Sequence, residues 1–175
     1  TPTNNDVGST LKVTVSYQDL QGNQESLTTS VTSSIANLDT SPTGVITITG
    51  TKTENQTLTV NTSNLSDGDG LGVLNYEWQR SSDGSNWKSI KNTNNNTYQL
   101  DDPDVGNSIR VKVSYTDLQG TPEVVYSQSV NGIQAVDDNP TGALIITGSR
   151  LEGETLVADT SGIRDNDGIG EFSYQ

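Results

Sequence analysis

In the stretch SIRVKVSY, Ile109, Val111, Val113 and Tyr115 alternate with Arg110, Lys112 and Ser114. Side chains of a strand point to opposite faces with a period of two, so this pattern predicts a half-buried β-strand over 108–116. NYEWQR alternates in the same way, Tyr76 and Trp78 against Glu77 and Gln79, and predicts a strand over 75–81. Runs rich in β-branched or aromatic residues predict further strands over 44–50, 57–63, 86–91, 97–100 and 122–130. The turn signals SSDGSN, NTNNN and DLQGTP separate them. No stretch has a helical period, although DPDVG suits one short 3₁₀ turn. Short strands at this spacing predict an antiparallel β-sandwich with Trp78 in its core and Trp87 half exposed.

The pattern also recurs. DVGSTLKVTVSYQDLQG at 6–22 repeats as DVGNSIRVKVSYTDLQG at 104–120, and PTGVITITG at 42–50 repeats as PTGALIITG at 140–148. Both offsets are 98 residues, and Asp67, Gly72 and Tyr76 match Asp165, Gly170 and Tyr174 at the same offset. A period of this length is one sandwich domain. The expected organisation is all-β: tandem immunoglobulin-like antiparallel sandwiches with a 98-residue period. One complete repeat spans 40–137, the back part of a preceding repeat spans 1–39, and the front part of a following repeat spans 138–175. The chain is thus expected to be a slice of a longer array.

Composition narrows the chemistry. The formal net charge is −13, with no Cys and no His. Disulfides, thiolate metal sites, the commonest general base and the usual zinc ligand are therefore excluded. Nucleic acid and anionic membrane surfaces are poor partners for such a charge, and cations are natural ones. No apolar run is long enough to cross a membrane, so insertion is not expected. Catalysis would need a carboxylate pair in a cleft, whereas the acids cluster in loops, and no enzyme is expected.

Those acids pose the central question. SDGDGLG at 66–72 sets Asp67 and Asp69 one residue apart, and RDNDGIG at 164–170 repeats the device with Asp165 and Asp167. Sandwich topology places Asp67, Asp69 and Asp117 at the leading end of the complete repeat. Glu54, Asp101, Asp102 and Asp104 fall at its trailing end, beside the linker residues Asp137, Asp138 and Asn139. Stacked head to tail, the repeats would bring these groups together, and calcium suits an irregular all-oxygen site. The expected calcium ligands are Asp67, Asp69, Asp6 and Asp39 at the first junction, with Asp117 through its loop. At the second they are Asp165, Asp167, Asp102, Asp104, Asp137 and Asp138, with Glu54 as a further partner. Gly68, Gly70 and Gly72 are expected to wrap the loop through positive φ. An EF-hand is rejected, because Trp78 stands where the loop's closing glutamate belongs. The plain alternative is that Asp and Gly form turns on a solvated acidic surface, as Asp83 does in SSDGSN. The sequons NQT, NTS, NLS and NNT are read as polar surface.

PTGVITITGTKTENQTLTV, DGDGLG with YEWQRSSDGSNW, and YQLDDPDVGNSIRVKVSYTDLQG together resemble the immunoglobulin-like extender repeats of giant bacterial surface adhesins of the RTX and biofilm-associated type. The resemblance covers the whole chain. It implies export, a location at the cell surface or in the extracellular matrix, and rigidity conferred by calcium at cadherin-like junctions. Neighbouring repeats of the same chain are then the first partners, with other copies alongside. The expected function is a calcium-stiffened structural spacer in a long adhesin or fibre. The alternatives are a carbohydrate- or protein-binding module using its loops or Trp87, and a filament or sheath subunit assembled through edge strands.

Overall fold

The computed structural model describes residues 1–90 and 93–175. The chain is all-β, and among the described residues the named strands pair antiparallel, with one isolated parallel bridge between Thr53 and Gln134. In order the strands are β1 (Thr14–Gln18), β2 (Gln24–Thr28), β3 (Thr47–Thr49), β4 (Thr57–Asn61), β5 (Asn75–Ser81), β6 (Lys88–Ser89), β7 (Thr97–Gln99), β8 (Ser108–Thr116), β9 (Pro122–Tyr126), β10 (Ile145–Gly148) and β11 (Leu156–Asp159). Single 3₁₀ turns sit at Asn4–Asp6 and Asp102–Asp104. β3–β4–β7 form one sheet and β6–β5–β8–β9 another, while β1–β2 and β10–β11 are separate hairpins.

Alternation decides what is buried. Ile109, Val111, Val113 and Tyr115 of β8 are at most 3% exposed. Leu58 and Val60 of β4 meet them and Trp78 of β5 in one apolar cluster, so the two larger sheets share a core. Trp78 is fully buried, donates its Nε1–H to the Asn95 carbonyl at 3.0 Å, and lies 5.4 Å from the Tyr98 ring. A buried indole needs such an acceptor.

The strand over 122–130 stops at Tyr126 because the Ser127 hydroxyl, not a backbone carbonyl, accepts from the Val111 amide. Pairing resumes in the Ile109–Val130 bridge. The strand over 86–91 is reduced to Lys88–Ser89, and its Lys91, like Asn92 of the NTNNN turn, lies outside the described residues.

The segment of β1 carries the same alternation without cover. Leu11, Val13, Val15 and Tyr17 are 39–59% exposed. Residues 98 positions later, Ile109, Val111, Val113 and Tyr115, form the centre of the core.

Candidate metal centre

The aspartate pair divides its labour. Asp67 turns back on its own loop: its Oδ1 accepts the Asp69 amide at 2.8 Å and its Oδ2 accepts the Tyr115 hydroxyl at 2.6 Å. The neighbouring carboxylate and burial push the Tyr115 phenol upward, burial being the larger cause. Asp69 faces the other way and is only 4% exposed. Its Oδ2 accepts the amide and the hydroxyl of Thr40, both at 2.7 Å.

Two other segments meet Asp69. Asp117 opens the turn after β8, and its Oδ1 accepts the amides of Gln119 and Thr121. Asp39 arrives from the segment ahead of β3. The carboxylate oxygens of Asp39, Asp69 and Asp117 lie within 4.8 Å of one another. Asp69 Oδ1 and Asp117 Oδ2 are buried and have no hydrogen-bond partner. A buried carboxylate oxygen with nothing to accept from is costly, and the cost rises when a like charge faces it. Glu123 adds to the field: burial, then Asp39, Asp67, Asp117 and Asp69, hold its carboxyl above its ordinary value.

Glycine builds the approach. Only Gly70 of the three loop glycines has positive φ, at 93°. A Cβ at Gly72 would sit 1.9 Å from the Thr116 carbonyl oxygen, and one at Gly70 would sit 2.6 Å from Leu118 Cδ1. The expectation of positive φ at all three is corrected: Gly72 is there for close contact with the end of β8, which carries Asp69 against Asp117. Asn4 reaches the same loop, its Nδ2–H bonding the Gly68 carbonyl at 2.6 Å.

A second acidic group joins Glu54, Asp102 and Asp138, again with oxygens within 4.8 Å. Glu54 is 2% exposed, with the Val136 amide on Oε2 and the Asn55 side chain on Oε1. Asp102 is pushed up to about 6, by loss of water first and then by Glu54, Asp138 and Asp101. Further along, Asp138 donates its amide to Asp167 Oδ2 at 2.7 Å, and Asp165 Oδ1 accepts the Asp167 amide at 3.0 Å. Asp165 therefore takes the supporting part that Asp67 takes in the first loop.

The other sequence candidates lie apart from these groups. Asp104 is fully buried, but Arg80 Nε and the Tyr98 hydroxyl, each at 2.6 Å, and the Asp101 amide at 3.0 Å occupy its oxygens. It is the anchor of an internal ion pair. Asp6 accepts the amide and hydroxyl of Thr3 at its 3₁₀ turn. Asp137 is exposed and belongs to neither triad. Thr40, Tyr115 and Glu123 were not singled out from the sequence as parts of the site. The recurrence of Tyr17 as Tyr115 and Glu25 as Glu123 at the 98-residue offset was the available signal.

Residues 46–132 match the profile of a domain of unknown function (DUF8696). No curated protein matches the chain. The matched stretch includes Glu54, Asp69, Asp102 and Asp117, and ends short of Asp138. Among the described residues no helix is long and apolar enough to cross a membrane.

The aromatic candidate is committed elsewhere. The Arg110 guanidinium lies 4.3 Å from the centre of the Trp87 ring and 4.4 Å from that of Tyr126. One face of each ring is thus filled by the protein's own cation.

Proposed function

We propose that the chain is part of a tandem array of immunoglobulin-like β-sandwiches, and that calcium ties each linker to the loops of the following repeat. In this reading it is a structural extender of a secreted bacterial surface adhesin or fibre. The observation that carries the calcium reading is the pair of buried, partnerless oxygens on Asp69 and Asp117, two carboxylates that cluster with Asp39. Hard carboxylate oxygens from three segments, with irregular geometry, suit calcium better than magnesium, which demands a tight octahedron. Asp39, Asp69 and Asp117 would hold the ion. Bound there, it would neutralise crowded charge and fix the linker against two loops.

Local structure at the 98-residue offset supports the array. The turns at Asn4–Asp6 and Asp102–Asp104 correspond, as do β2 with β9 and the Thr43–Ser66 bridge with Thr141–Arg164. Gly8, Gly22, Gly44, Gly50 and Gly70 have positive φ, and so do Gly106, Gly120, Gly142, Gly148 and Gly168. The exposed apolar row of β1 supports it too, since its counterparts in β8 are covered by β3–β4–β7. Two sheets sharing one core, with a tryptophan on the central β5, support the sandwich.

Calcium titration by isothermal calorimetry, with magnesium as the competitor, tests the site. Extracellular modules bind in the range of roughly 0.1–1 mM, and that is the expected affinity. No binding heat and no change in unfolding temperature up to 10 mM calcium would overturn the reading. X-ray scattering of the same chain in calcium and in chelator tests the extender role, with a longer maximum dimension expected in calcium.

A further inference from the structure

Thr40 places two donors on one oxygen. Its amide and its hydroxyl each lie 2.7 Å from Asp69 Oδ2, which leaves Oδ1, buried and without a hydrogen-bond partner, as the free oxygen of a carboxylate clustered with Asp39 and Asp117. Threonine suits this task because its branched Cβ restricts χ1, so the hydroxyl is held rather than free to rotate away. Gly68 makes the room: a Cβ there would lie 2.6 Å from Thr40 Oγ1. The chain contains its own contrast. At the 98-residue offset, Thr40 and Gly68 become Asp138 and Asn166. Asp138 keeps the amide bond to Asp167 Oδ2 at 2.7 Å but has no hydroxyl, and Asn166 Nδ2 bonds Asp138 Oδ2 at 3.3 Å instead. The second loop thus has one fixed donor on its inner aspartate where the first has two.

We propose that Thr40, given room by Gly68, is the positioning residue that sets Asp69 in its metal-binding orientation before the cation arrives. This inference rests on the calcium reading above. A ligand already aimed does not spend binding energy on being ordered, and outer partners of ligating carboxylates typically change metal affinity by 10–100-fold. Thr40 itself touches no ion in this scheme; its effect passes through Asp69.

Calorimetric calcium titrations of wild type, Thr40→Val, Thr40→Ser and Gly68→Ala, well below the unfolding temperature, test it. Thr40→Val should weaken calcium binding about tenfold, and Thr40→Ser, which keeps the hydroxyl, should stay within about threefold of wild type. Gly68→Ala leaves the Thr40 residue intact but displaces its hydroxyl, and should weaken binding in the same direction. Its backbone has no positive φ, so alanine adds crowding there without backbone strain. Circular dichroism checks that each variant is folded. Wild-type binding with unchanged affinity in both Thr40→Val and Gly68→Ala overturns the proposal while leaving the calcium reading standing. Absence of wild-type binding overturns both. A general loss of stability does not imitate the expected pattern, because affinity is read on folded protein well below each variant's unfolding temperature.

Discussion

Replacing Asp117 with asparagine should stabilise the protein without calcium and destabilise it with calcium. The Asp39, Asp69 and Asp117 oxygens lie within 4.8 Å of one another. At that separation two unit charges repel by roughly 1 kcal/mol in water and about 3.5 kcal/mol at the effective dielectric of a protein surface. Asparagine removes two such pairs. Its carbonyl still accepts the Gln119 and Thr121 amides, now without the assistance of charge, which gives back part of the gain. Asp39 is exposed, so its share is screened. A net stabilisation of about 1 kcal/mol follows, raising the unfolding temperature by roughly 4–8 °C for a domain of this size. Calcium at a hundredfold over its dissociation constant would add about 2.7 kcal/mol to the wild type and little to the variant. The two unfolding temperatures should therefore cross between chelator and 10 mM calcium, measured by differential scanning calorimetry. A variant less stable under both conditions would refute the reasoning, because the carboxylate would then be structural and not a ligand held at a cost.

Trp78→Ala should cost about 3–5 kcal/mol in chemical denaturation, since the indole is fully buried at the centre of the shared core; a loss under 1 kcal/mol would mean that the core does not depend on it. Asp104→Ala should cost about 3 kcal/mol, because the Arg80 guanidinium, the Tyr98 hydroxyl and the Asp101 amide all lose their acceptor; calcium affinity should not change, and a change would place Asp104 at the metal after all. In chelator, lowering the pH from 7 to 5 should raise the unfolding temperature. Asp102 titrates at about 6 when folded, above its value in the unfolded chain, so the folded state binds the proton more tightly and gains stability as pH falls through 6 toward 4. Asp102→Asn should flatten that slope, and an unaltered slope would assign it to other groups.

Much of this molecule is local and therefore legible along the chain. Alternation over 108–116 predicted β8 with its buried and exposed faces, because a strand on a core has no freedom to turn its side chains. The same logic predicted β5 and the buried Trp78, and the DPDVG segment predicted the 3₁₀ turn at Asp102–Asp104. The acidic loops were equally visible, since Asp–Gly patterning marks turns wherever they fold. Which acids share a space was not visible. Asp67 and Asp69 look equivalent in sequence, yet one is spent on the Tyr115 hydroxyl and an amide while the other faces Asp39 and Asp117 across three separate segments. Asp104 reads as one more exposed acid, and only the approach of Arg80, 24 positions earlier, makes it an internal counter-ion. Glu54 reads only as a further partner in the sequence, yet it is buried, and the Val136 amide from the far linker bonds its carboxylate. Strand periodicity arises between neighbours two apart, so the sequence alone determined the elements. A carboxylate's role depends on which distant donors and charges reach it, and that only the tertiary structure decided.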